Sequence, residues 1–445
     1  MSALGVAQIR RRFLVLHGLR WLPTGLLIPV TVLLMLERGL TLPQVGLVSA
    51  AQGLVILALE LPTGGLADAL GRKPVLVTAA AVGLVSTALL VVADSVPLLT
   101  AVWALQGVFR ALDSGPLESW YVDSTLAADR SAEIERGLSA GGVVIGLSIA
   151  AGALLSGALV ALGPIGPVSA LTGPVVVAVA LQLVALVALL VLLVEVPSPQ
   201  RSTATLRSSL AGTPRMIGQA VGLLRRSRVL LALVGVELFW GFGMVTFEGL
   251  LPVRLAEVVG DADRAAALLG PTSSVAWLAS AAGAALAAPV GRRLGVAPTA
   301  ALLHLLQAGT VVGMGLLAGP AGVMVAYLAC YAVHGAANPL HSALMHRQVD
   351  GPYRTSVLSL SSMMAHPSAA IGGITLTALA GATSISVAML VGAAALALAA
   401  PLYLPAWRAG RREAAAGARP VSAPVGPAGT PGEVPAAKVG AGRRD

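Results

Sequence analysis

The sequence predicts an all-α integral membrane protein whose twelve transmembrane helices form two six-helix bundles. The first observation is composition: hydrophobic residues make up 56% of 445 positions, charged residues make up 11%, and the mean hydropathy is +0.86. A soluble domain has roughly 45–50% apolar and about 25% charged residues. The other two observations are the spacing of long apolar segments and one polar stretch near the middle of the chain.

Apolar segments long enough to cross a membrane recur along the chain. A span needs about 20 apolar residues, because the hydrocarbon core is ~30 Å thick and a helix rises ~1.5 Å per residue. The predicted spans, numbered one to twelve, are 13–36, 44–63, 74–93, 98–122, 137–162, 168–194, 229–251, 265–288, 298–318, 323–345, 356–381 and 385–405.

The polar stretch divides the chain into two halves. The predicted regions are an N-terminal segment 1–12, an N-terminal six-helix bundle 13–194, a linker 195–228, a C-terminal six-helix bundle 229–405 and a tail 406–445. Within the linker, residues 213–228 have an apolar flank with arginines at both ends, which predicts a short helix on the membrane surface. The tail is rich in Ala, Gly, Pro and Arg and is predicted to be disordered.

Basic residues predict the orientation in the membrane. Of 29 basic residues, 24 lie on the side of the termini and linker, and only Arg38, Arg254 and Arg264 lie on the opposite side. The positive-inside rule therefore predicts a multi-pass protein of the cell membrane with both termini in the cytoplasm. The net charge of +9 is assigned to orientation and lipid contact rather than to nucleic acid, because phosphate-binding patches need polar and aromatic neighbours on a soluble surface.

The sequence predicts neither an enzyme nor a metal or cofactor site. Its single cysteine, Cys330, lies in an apolar run, and its histidines lack metal-ligand spacing. No nucleotide-binding loop is visible. We therefore expect no catalytic residue and no cofactor, with the transmembrane proton gradient as the energy source.

The loop between spans two and three carries a glycine-rich, charged motif. It reads GGLADALGRKPVL, residues 64–76. Glycine allows a tight turn, and Arg72 with Lys73 hold the loop in the cytoplasm. The carboxylate of Asp68 lies at a helix end, where it can pair with an arginine or with the positive N-terminal end of another helix.

This motif resembles the signature loop of the major facilitator superfamily. The matching positions are Gly64, Leu66, Ala67, Asp68, Gly71, Arg72, Lys73 and Leu76. Ala69 replaces an arginine, and the related loop of the second half has Arg292 where the aspartate would stand. The resemblance covers residues 13–405 and implies the major facilitator fold. It also implies that Asp68 and Arg72 latch the two halves together on the cytoplasmic side.

Ionisable side chains concentrate in four of the spans. Each one at the bilayer centre costs ~2.5–3.5 kcal/mol on insertion scales, so it normally faces a cavity or a partner. Nine of twelve charged or histidine side chains within spans lie in spans one, four, seven and ten. They are His17, Arg20, Arg110, Asp113, Glu118, Glu237, Glu248, His334 and His341. In the family that the loop resembles, these four spans line the central cavity.

The arginines are expected to act as fixed charges. Arg20 and Arg110 stay charged at any biological pH. Arg110 and Asp113 lie three residues apart on one helical face, which predicts that they neutralise each other. Gly115 and Pro116 follow in the same span and are expected to bend it.

The carboxylates are candidates for proton coupling. A carboxylate in a desolvated site can bind and release a proton near neutral pH. This role is predicted for Glu237, Asp113 and Glu118, with Glu248 in the same cavity set, and structural ion pairs are the alternative. Asp123, at the cytoplasmic end of span four, is expected to be a solvated boundary residue.

Ring-bearing side chains beside these charges are the candidates for substrate lining. They are Trp120, Phe239, Trp240, Phe242, His334 and His341. Aromatic rings can stack on an apolar or aromatic substrate, but they are also common anchors near span ends. For the histidines, a hydrogen-bonded packing role is the alternative.

Together these features favour a proton-coupled exporter of small amphipathic or hydrophobic compounds, acting as a monomer by alternating access. The resemblance to drug/proton antiporters has two departures. Gly115 follows Arg110 by five residues rather than four, and the glycine-rich fifth span has no proline. The alternative is an importer or facilitator of a small anionic metabolite that Arg20 and Arg110 bind. A receptor or scaffold is disfavoured because no signalling domain is recognisable.

Overall fold

A computed structural model describes residues 4–195, 222, 224, 227–348 and 354–417, without the side chains of residues 60–62, 64–65, 67–69, 354–363 and 413–417. The first half contains α1 Val6–Leu27, α2 Thr31–Glu37, α3 Leu42–Leu70, α4 Arg72–Val92, α5 Val96–Asp113, α6 Pro116–Ala128, α7 Ile134–Ala161 and α8 Gly173–Leu192. The second half contains α9 Arg228–Val245, a π-turn Thr246–Leu250, α10 Leu251–Val259, α11 Ala262–Leu294, α12 Val296–Leu316, α13 Pro320–Arg347, α14 Arg354–Ala382, α15 Ile385–Ala399, a 3-10 turn Ala400–Tyr403 and α16 Leu404–Gly417.

The predicted all-α membrane fold class is confirmed. Each predicted span coincides with one helix or with consecutive helices. Within the described ranges, nine helices are long and apolar enough to cross a membrane, or ten if α1 and α2 form one span bent by 41°. Spans four and eleven are outside that set. Span four is broken and charged, and α14 includes side chains that are not described.

Spans one, four and seven are interrupted, each at a residue that disturbs helical hydrogen bonding. Pro29 lies between α1 and α2. Gly115 has φ +93°, a left-handed conformation that favours glycine, and Pro116 begins α6. In span seven the π-turn comes directly before α10, whose second residue is Pro252. The bend expected at Gly115 and Pro116 is therefore a complete break.

The two halves share one packing pattern. In the first half, span one packs on spans five and six, span two on span four, and span three on spans four and six. In the second half the same relations join span seven to eleven and twelve, eight to ten, and nine to ten and twelve. The halves meet chiefly through α3 with α14 and α7 with α11. Spans one, four, seven and ten are left facing the space between the halves.

Burial differs between the two ends of the bundle. We call the end that holds residues 4 and 417 the terminus side and the opposite end the distal side. One hydrophobic core on the distal side includes residues of both halves, among them Leu33 of α2 and Leu255 of α10. On the terminus side the buried clusters are separate, around Phe13 in one half and Leu233 in the other. This structure is therefore closed at its distal end.

Close glycine contacts seal the distal side. Gly157 of α7 faces Gly270 of α11, and a Cβ added to Gly157 would lie 2.8 Å from the Ala267 carbonyl oxygen. At the other interface, a Cβ on Gly46 of α3 would collide with the Gly373 carbonyl of α14. Small residues let two helix backbones approach closely in a membrane. Both interfaces between the halves therefore depend on glycine.

The tail prediction needs a correction. Residues 406–417 are helical, as part of α16, whereas residues 406–445 were predicted to be disordered. Alanine and arginine are strong helix formers, which explains why the helix continues past span twelve. Arg411 lies 5.4 Å from the ring centre of Trp407 on the same helix. The rest of the tail, and most of the surface helix predicted at 213–228, lie outside the described residues.

Two arginines on the distal side cap helices within their own halves. The guanidinium of Arg38 donates to the carbonyl oxygens of Leu90, Val91 and Ala93, at 2.5–3.1 Å. These carbonyls lie at the carboxyl end of α4, where helix carbonyls lack intrahelical partners. Arg254 of α10 donates in the same way to the carbonyl oxygens of Met314 and Leu317, at the end of α12. Capping of helix ends therefore explains why Arg38 and Arg254 lie on the distal side, where the positive-inside rule predicts few basic residues.

We expect Arg38→Gln to lower the stability of the first half. The substitution leaves the α4 carbonyls without charged donors, and a hydrogen bond to a charged group contributes about 1.5–3 kcal/mol. Thermal unfolding in detergent measures the change. Arg264→Gln is the matched control, because Arg264 is exposed on the same side. Equal melting temperatures for the two variants would contradict the capping role.

Candidate functional site between the two halves

The first half places an ion pair between spans one and four. Arg20 of α1 pairs with the Asp113 carboxylate, and its Nη2 also donates to the Asp113 carbonyl oxygen at 3.1 Å. The side chains are only 7% and 12% exposed. The predicted pairing of Arg110 with Asp113 is therefore wrong as to the partner. Asp113 is the last residue of α5, beside the break, and its carboxylate meets α1 instead of the preceding helical turn.

Arg110 has an aromatic partner instead of a carboxylate. Its guanidinium carbon lies 4.9 Å from the ring centre of Trp21 on α1. No ion pair joins Arg110 to an acid within the part of the chain that the structure describes. A cation over an indole ring is stabilised by about 0.5–2 kcal/mol, which is less than a buried charge costs. Arg110 is therefore a fixed charge available to another partner.

Glu118 lies near a buried histidine, one helical segment further along span four. Its Oε1 is 3.7 Å from Nε2 of His17, which is 3% exposed, whereas the Glu118 side chain is 42% exposed. His17 also lies against the ring of Phe13, with centres 4.9 Å apart. This carboxylate is thus more open to solvent than Asp113.

The second half contains a carboxylate and imidazole pair in place of an arginine pair. Glu237 Oε1 of α9 lies 3.0 Å from His341 Nε2 of α13, and the two side chains are 17% and 10% exposed. His341 Nδ1 lies 2.9 Å from the hydroxyl of Tyr403. The Tyr403 ring in turn packs on His304, with ring centres 5.3 Å apart. This chain of contacts joins spans seven, nine, ten and twelve.

Glu248 lies in the π-turn of span seven. The hydroxyl of Tyr331 donates to its Oε1 at 2.5 Å. Tyr331 is 3% exposed, whereas Glu248 is exposed. Since its one polar contact is a buried hydroxyl of span ten, Glu248 lies on the inner surface of the bundle.

Aromatic rings pack around Tyr331, the partner of Glu248. We call them the aromatic cluster, which consists of Trp240, Phe247, Trp277, Tyr327, Tyr331 and His334. Trp240 stacks on His334 with ring centres 5.5 Å apart and planes 14° apart. Tyr331 contacts Tyr327, Trp277 and Phe247 at 4.8–6.0 Å. These rings form an apolar wall beside a carboxylate.

Some predicted lining residues lie elsewhere. Trp120 is 2% exposed in the core of the first half, and its Nε1 donates to the Val194 carbonyl oxygen at 2.8 Å. Its ring is therefore unavailable to a substrate, because core packing and a backbone acceptor use it fully. Phe239 packs against the separate core of the second half, and Phe242 packs against the distal core. Trp240, His334 and His341 face the groups described above.

Arg72 and Lys73 of the signature loop fasten the loop to spans four and six of the same half. Arg72 Nη1 lies 2.5 Å from the Asp123 carboxylate. The backbone N–H groups of Arg72 and Lys73 donate to Glu195 at 2.6 and 3.4 Å. Gly71 makes this possible, since its φ is +99° and a Cβ would lie 2.6 Å from Glu195 Oε1. Asp123 is thus an ion-pair partner and not only a solvated boundary residue.

The remaining residues of the signature loop make fewer described contacts. Gly64 and Asp68 belong to the end of α3, and the side chain of Asp68 is outside the described residues. Lys73 Nζ donates to the Leu190 carbonyl oxygen at 2.7 Å.

Next to the Arg72 contact, a cavity of about 700 Å³ is lined by Asp123 and Arg130 on the terminus side, away from the charges at mid-span.

Tyr327 and Tyr331 were not predicted from the sequence, although their spacing carried a signal. With the predicted His334 and His341 they lie at i, i+4, i+7 and i+14 on α13, so all four share one helical face. A polar aromatic stripe of this kind within a span indicates an inward-facing surface. Trp21 and Tyr403 gave no such pattern, because their partners lie on other spans.

Comparisons with known proteins give the family. The model of the Major Facilitator Superfamily matches residues 13–365. No curated protein matches the sequence. The solved structure of the nucleoside transporter NupG has a TM-score of 0.71 at 14% identity, covering 90% of this chain and 99% of that chain. A bacterial homologue of the human lysosomal transporter Spinster, in an inward-facing and occupied conformation, has a TM-score of 0.71 at 14% identity and covers 90% and 97%.

A third solved structure is a POT family transporter in complex with 5-aminolevulinic acid. Its TM-score is 0.69 at 15% identity, over 89% of this chain and 95% of that chain. At such low identity these structures establish the fold alone, while the family model covers most of the chain. With the apolar helices and the paired halves, the family match leads to one conclusion. The chain belongs to the major facilitator superfamily, and it is a multi-pass membrane transporter of small molecules rather than an enzyme.

Proposed function

We propose that this transporter exports small amphipathic or hydrophobic compounds across the cell membrane by proton-coupled alternating access, with both termini in the cytoplasm. The observation that carries the proposal is the contact of Glu237 with His341 at 3.0 Å, inside the bundle. A carboxylate and an imidazole are both groups that exchange protons, unlike a guanidinium. The pair supplies a proton site that an arginine and carboxylate pair cannot.

The two halves have different roles in this proposal. Asp113 is held by the permanent charge of Arg20, and this pair fixes spans one and four together. Glu237 faces an imidazole, so the charge of this pair changes with protonation. Of the three carboxylates predicted to couple protons, Glu237 is therefore the one that the geometry favours.

The substrate is proposed to lie against the aromatic cluster. Trp240 and His334, the partly exposed rings of the cluster, offer stacking surfaces to an apolar or aromatic compound, whereas Tyr331 is buried. Closure of the distal end leaves the site open toward the terminus side, which the positive-inside rule assigns to the cytoplasm. This conformation is thus the one that takes up a compound for export.

Glu237→Gln is expected to abolish proton-driven transport. The amide keeps the size of the side chain but cannot exchange a proton with His341, so the transport rate should lose its dependence on the proton gradient. Uptake of a fluorescent amphipathic dye into inverted membrane vesicles, with and without a proton gradient, measures this. The expected loss of gradient-driven uptake is about tenfold or more.

Glu135→Gln is the matched control, because Glu135 is exposed near the terminus-side start of α7. It should transport as wild type does. Exchange of dye at equal pH on both sides should survive in Glu237→Gln, which separates coupling from folding. Gradient-driven uptake unchanged in Glu237→Gln would rule out this pair as the proton site.

An importer or facilitator of a small anionic metabolite is the second candidate. The observation in its favour is Arg110, a guanidinium without a carboxylate partner among the described residues. Counterflow of a labelled carboxylate or phosphate ester, lost in Arg110→Lys, would favour this function. Counterflow that is absent in wild type would leave export as the function supported.

A further inference from the structure

We propose that the space between the halves binds zwitterionic compounds, whose anionic group contacts Arg110 and whose cationic group contacts Glu248. The inference rests on the proposed function, because it assigns the charge class of the exported compound. It is drawn from one cation and one anion that form no ion pair with any described residue, on opposite halves of the molecule.

Arg110 is the spare cation of the first half. Two guanidinium groups and one carboxylate lie close together there, and the carboxylate, Asp113, bonds to Arg20. Arg110 keeps only the face of Trp21 as a described partner. A guanidinium presents five N–H donors in a planar fork that matches a carboxylate or phosphate. Stacking on an indole uses the face of that fork and leaves its edge for a ligand.

Glu248 is the spare anion of the second half. An ionised carboxylate has about four acceptor positions, and Tyr331 fills one of them with a neutral hydroxyl. No cation pairs with Glu248 in the ranges that the structure covers. The ring of Tyr331 is packed against Phe247, Trp277 and Tyr327, so the hydroxyl that contacts Glu248 has a fixed position.

The two charges lie at similar depth. Arg110 is 14 residues from Val96, the distal start of α5, and Tyr331, which donates to Glu248, is 11 residues from Pro320, the distal start of α13. At ~1.5 Å per residue these separations are about 21 Å and about 17 Å. Because spans four and seven both face the space between the halves, one compound can contact both groups.

Charge balance selects a zwitterion over a singly charged compound. When the halves close around a ligand, water leaves the site and an unpaired charge becomes costly. An amine alone would satisfy Glu248 and leave Arg110 desolvated, and a carboxylate alone would do the reverse. A compound with both groups satisfies both halves, and so it favours closure over the substrate. Direct pairing of Arg110 with Glu248 on closure is the competing outcome.

Binding to the full-length protein in lipid nanodiscs tests the assignment. The probes are naphthylalanine as the zwitterion, its methyl ester as the cation and its N-acetyl derivative as the anion, with the phenylalanine and anthrylalanine series as smaller and larger scaffolds. We expect the zwitterion to bind about tenfold more tightly than either singly charged analogue on at least one scaffold. Equal or weaker binding of the zwitterion on all three scaffolds overturns the proposal.

Substitutions at Arg110 and Glu248 test which residue contacts which charged group of the zwitterion. Arg110→Gln should remove the preference over the methyl ester, and Glu248→Gln should remove the preference over the N-acetyl derivative. Arg110→Lys and Glu248→Asp retain charge and should keep part of each preference, even if an uncharged variant folds poorly. If either Gln variant weakens all three probes equally, or if the Arg110→Gln/Glu248→Gln double variant binds the zwitterion as wild type does, the assignment is wrong.

The test of the zwitterion site and the test of proton-coupled export can fail independently. Gradient-driven uptake of an amphipathic dye without any charge preference would support export and reject the zwitterion site. A clear zwitterion preference in nanodiscs, together with uptake that ignores the proton gradient, would support the site and reject proton-coupled export.

Discussion

Asp113→Asn is expected to lower the melting temperature strongly, because the substitution leaves Arg20 buried without its counter-charge. The Arg20 side chain is 7% exposed, and its Nε and Nη1 atoms have no hydrogen-bond partner. Breaking a buried ion pair by removing one partner costs about 3–5 kcal/mol. Thermal unfolding of the purified protein in detergent, followed by tryptophan fluorescence, measures the effect.

Two further variants identify the partner of Asp113. Glu118→Gln should cost much less, since Glu118 is 42% exposed and 3.7 Å from a histidine. The double variant Arg20→Gln/Asp113→Asn should recover most of the stability, because it removes both charges. If Arg110→Gln rather than Arg20→Gln rescues Asp113→Asn, then the helical neighbour is the true partner.

Gly157→Ala is expected to open the distal side. The new Cβ would lie 2.8 Å from the Ala267 carbonyl oxygen and 2.9 Å from Gly270 Cα, so α7 and α11 must separate. Overpacking of this kind costs about 1–3 kcal/mol, which is a shift of roughly 5- to 150-fold in the balance of conformations. Spin labels at Asp94→Cys and Ala318→Cys, on the distal joints of the two halves, measure the distance in a Cys330→Ala background.

Gly152→Ala provides the matched control in the same helix. A Cβ added to Gly152 would collide with the Leu22 carbonyl oxygen and lie 2.9 Å from the Leu26 nitrogen of α1, in its own half, so the strain does not act between the halves. The variant should lower the melting temperature and leave the label distance unchanged. Equal label distances in Gly157→Ala and wild type would show that the glycine contact does not hold the distal side closed.

The fold followed from the sequence because membrane spans obey a simple physical constraint. Backbone groups in lipid must bond internally, so each apolar stretch of the right length becomes a helix. Gly115 and Pro116 were also readable as a disturbance, since one permits a left-handed turn and the other lacks an N–H. The helical extent of residues 406–417 was missed because the composition of the whole tail resembles disorder.

The site was predictable in part. The recurrence of charges in spans one and four, and the free-energy cost of a charge in the bilayer, predicted that Arg20, Arg110 and Asp113 face inward. Neither observation identifies Arg20 rather than Arg110 as the partner of Asp113. That choice depends on where α1 crosses α5, which is a tertiary contact. The same limit applies to Glu195 and Arg72, which lie 123 residues apart. The His341 contact with Tyr403 likewise joins residues 62 positions apart.

Arg38 and Arg254 occupy matching positions in the two halves. Each comes from the distal end of the first span of its half and caps the third span of that half. The signature loop on the terminus side has no such counterpart, because Arg292 occupies the position of the aspartate. The two halves therefore match at the distal end, where these arginines brace each half internally. They differ at the terminus side, where only the first half carries the aspartate of the signature loop.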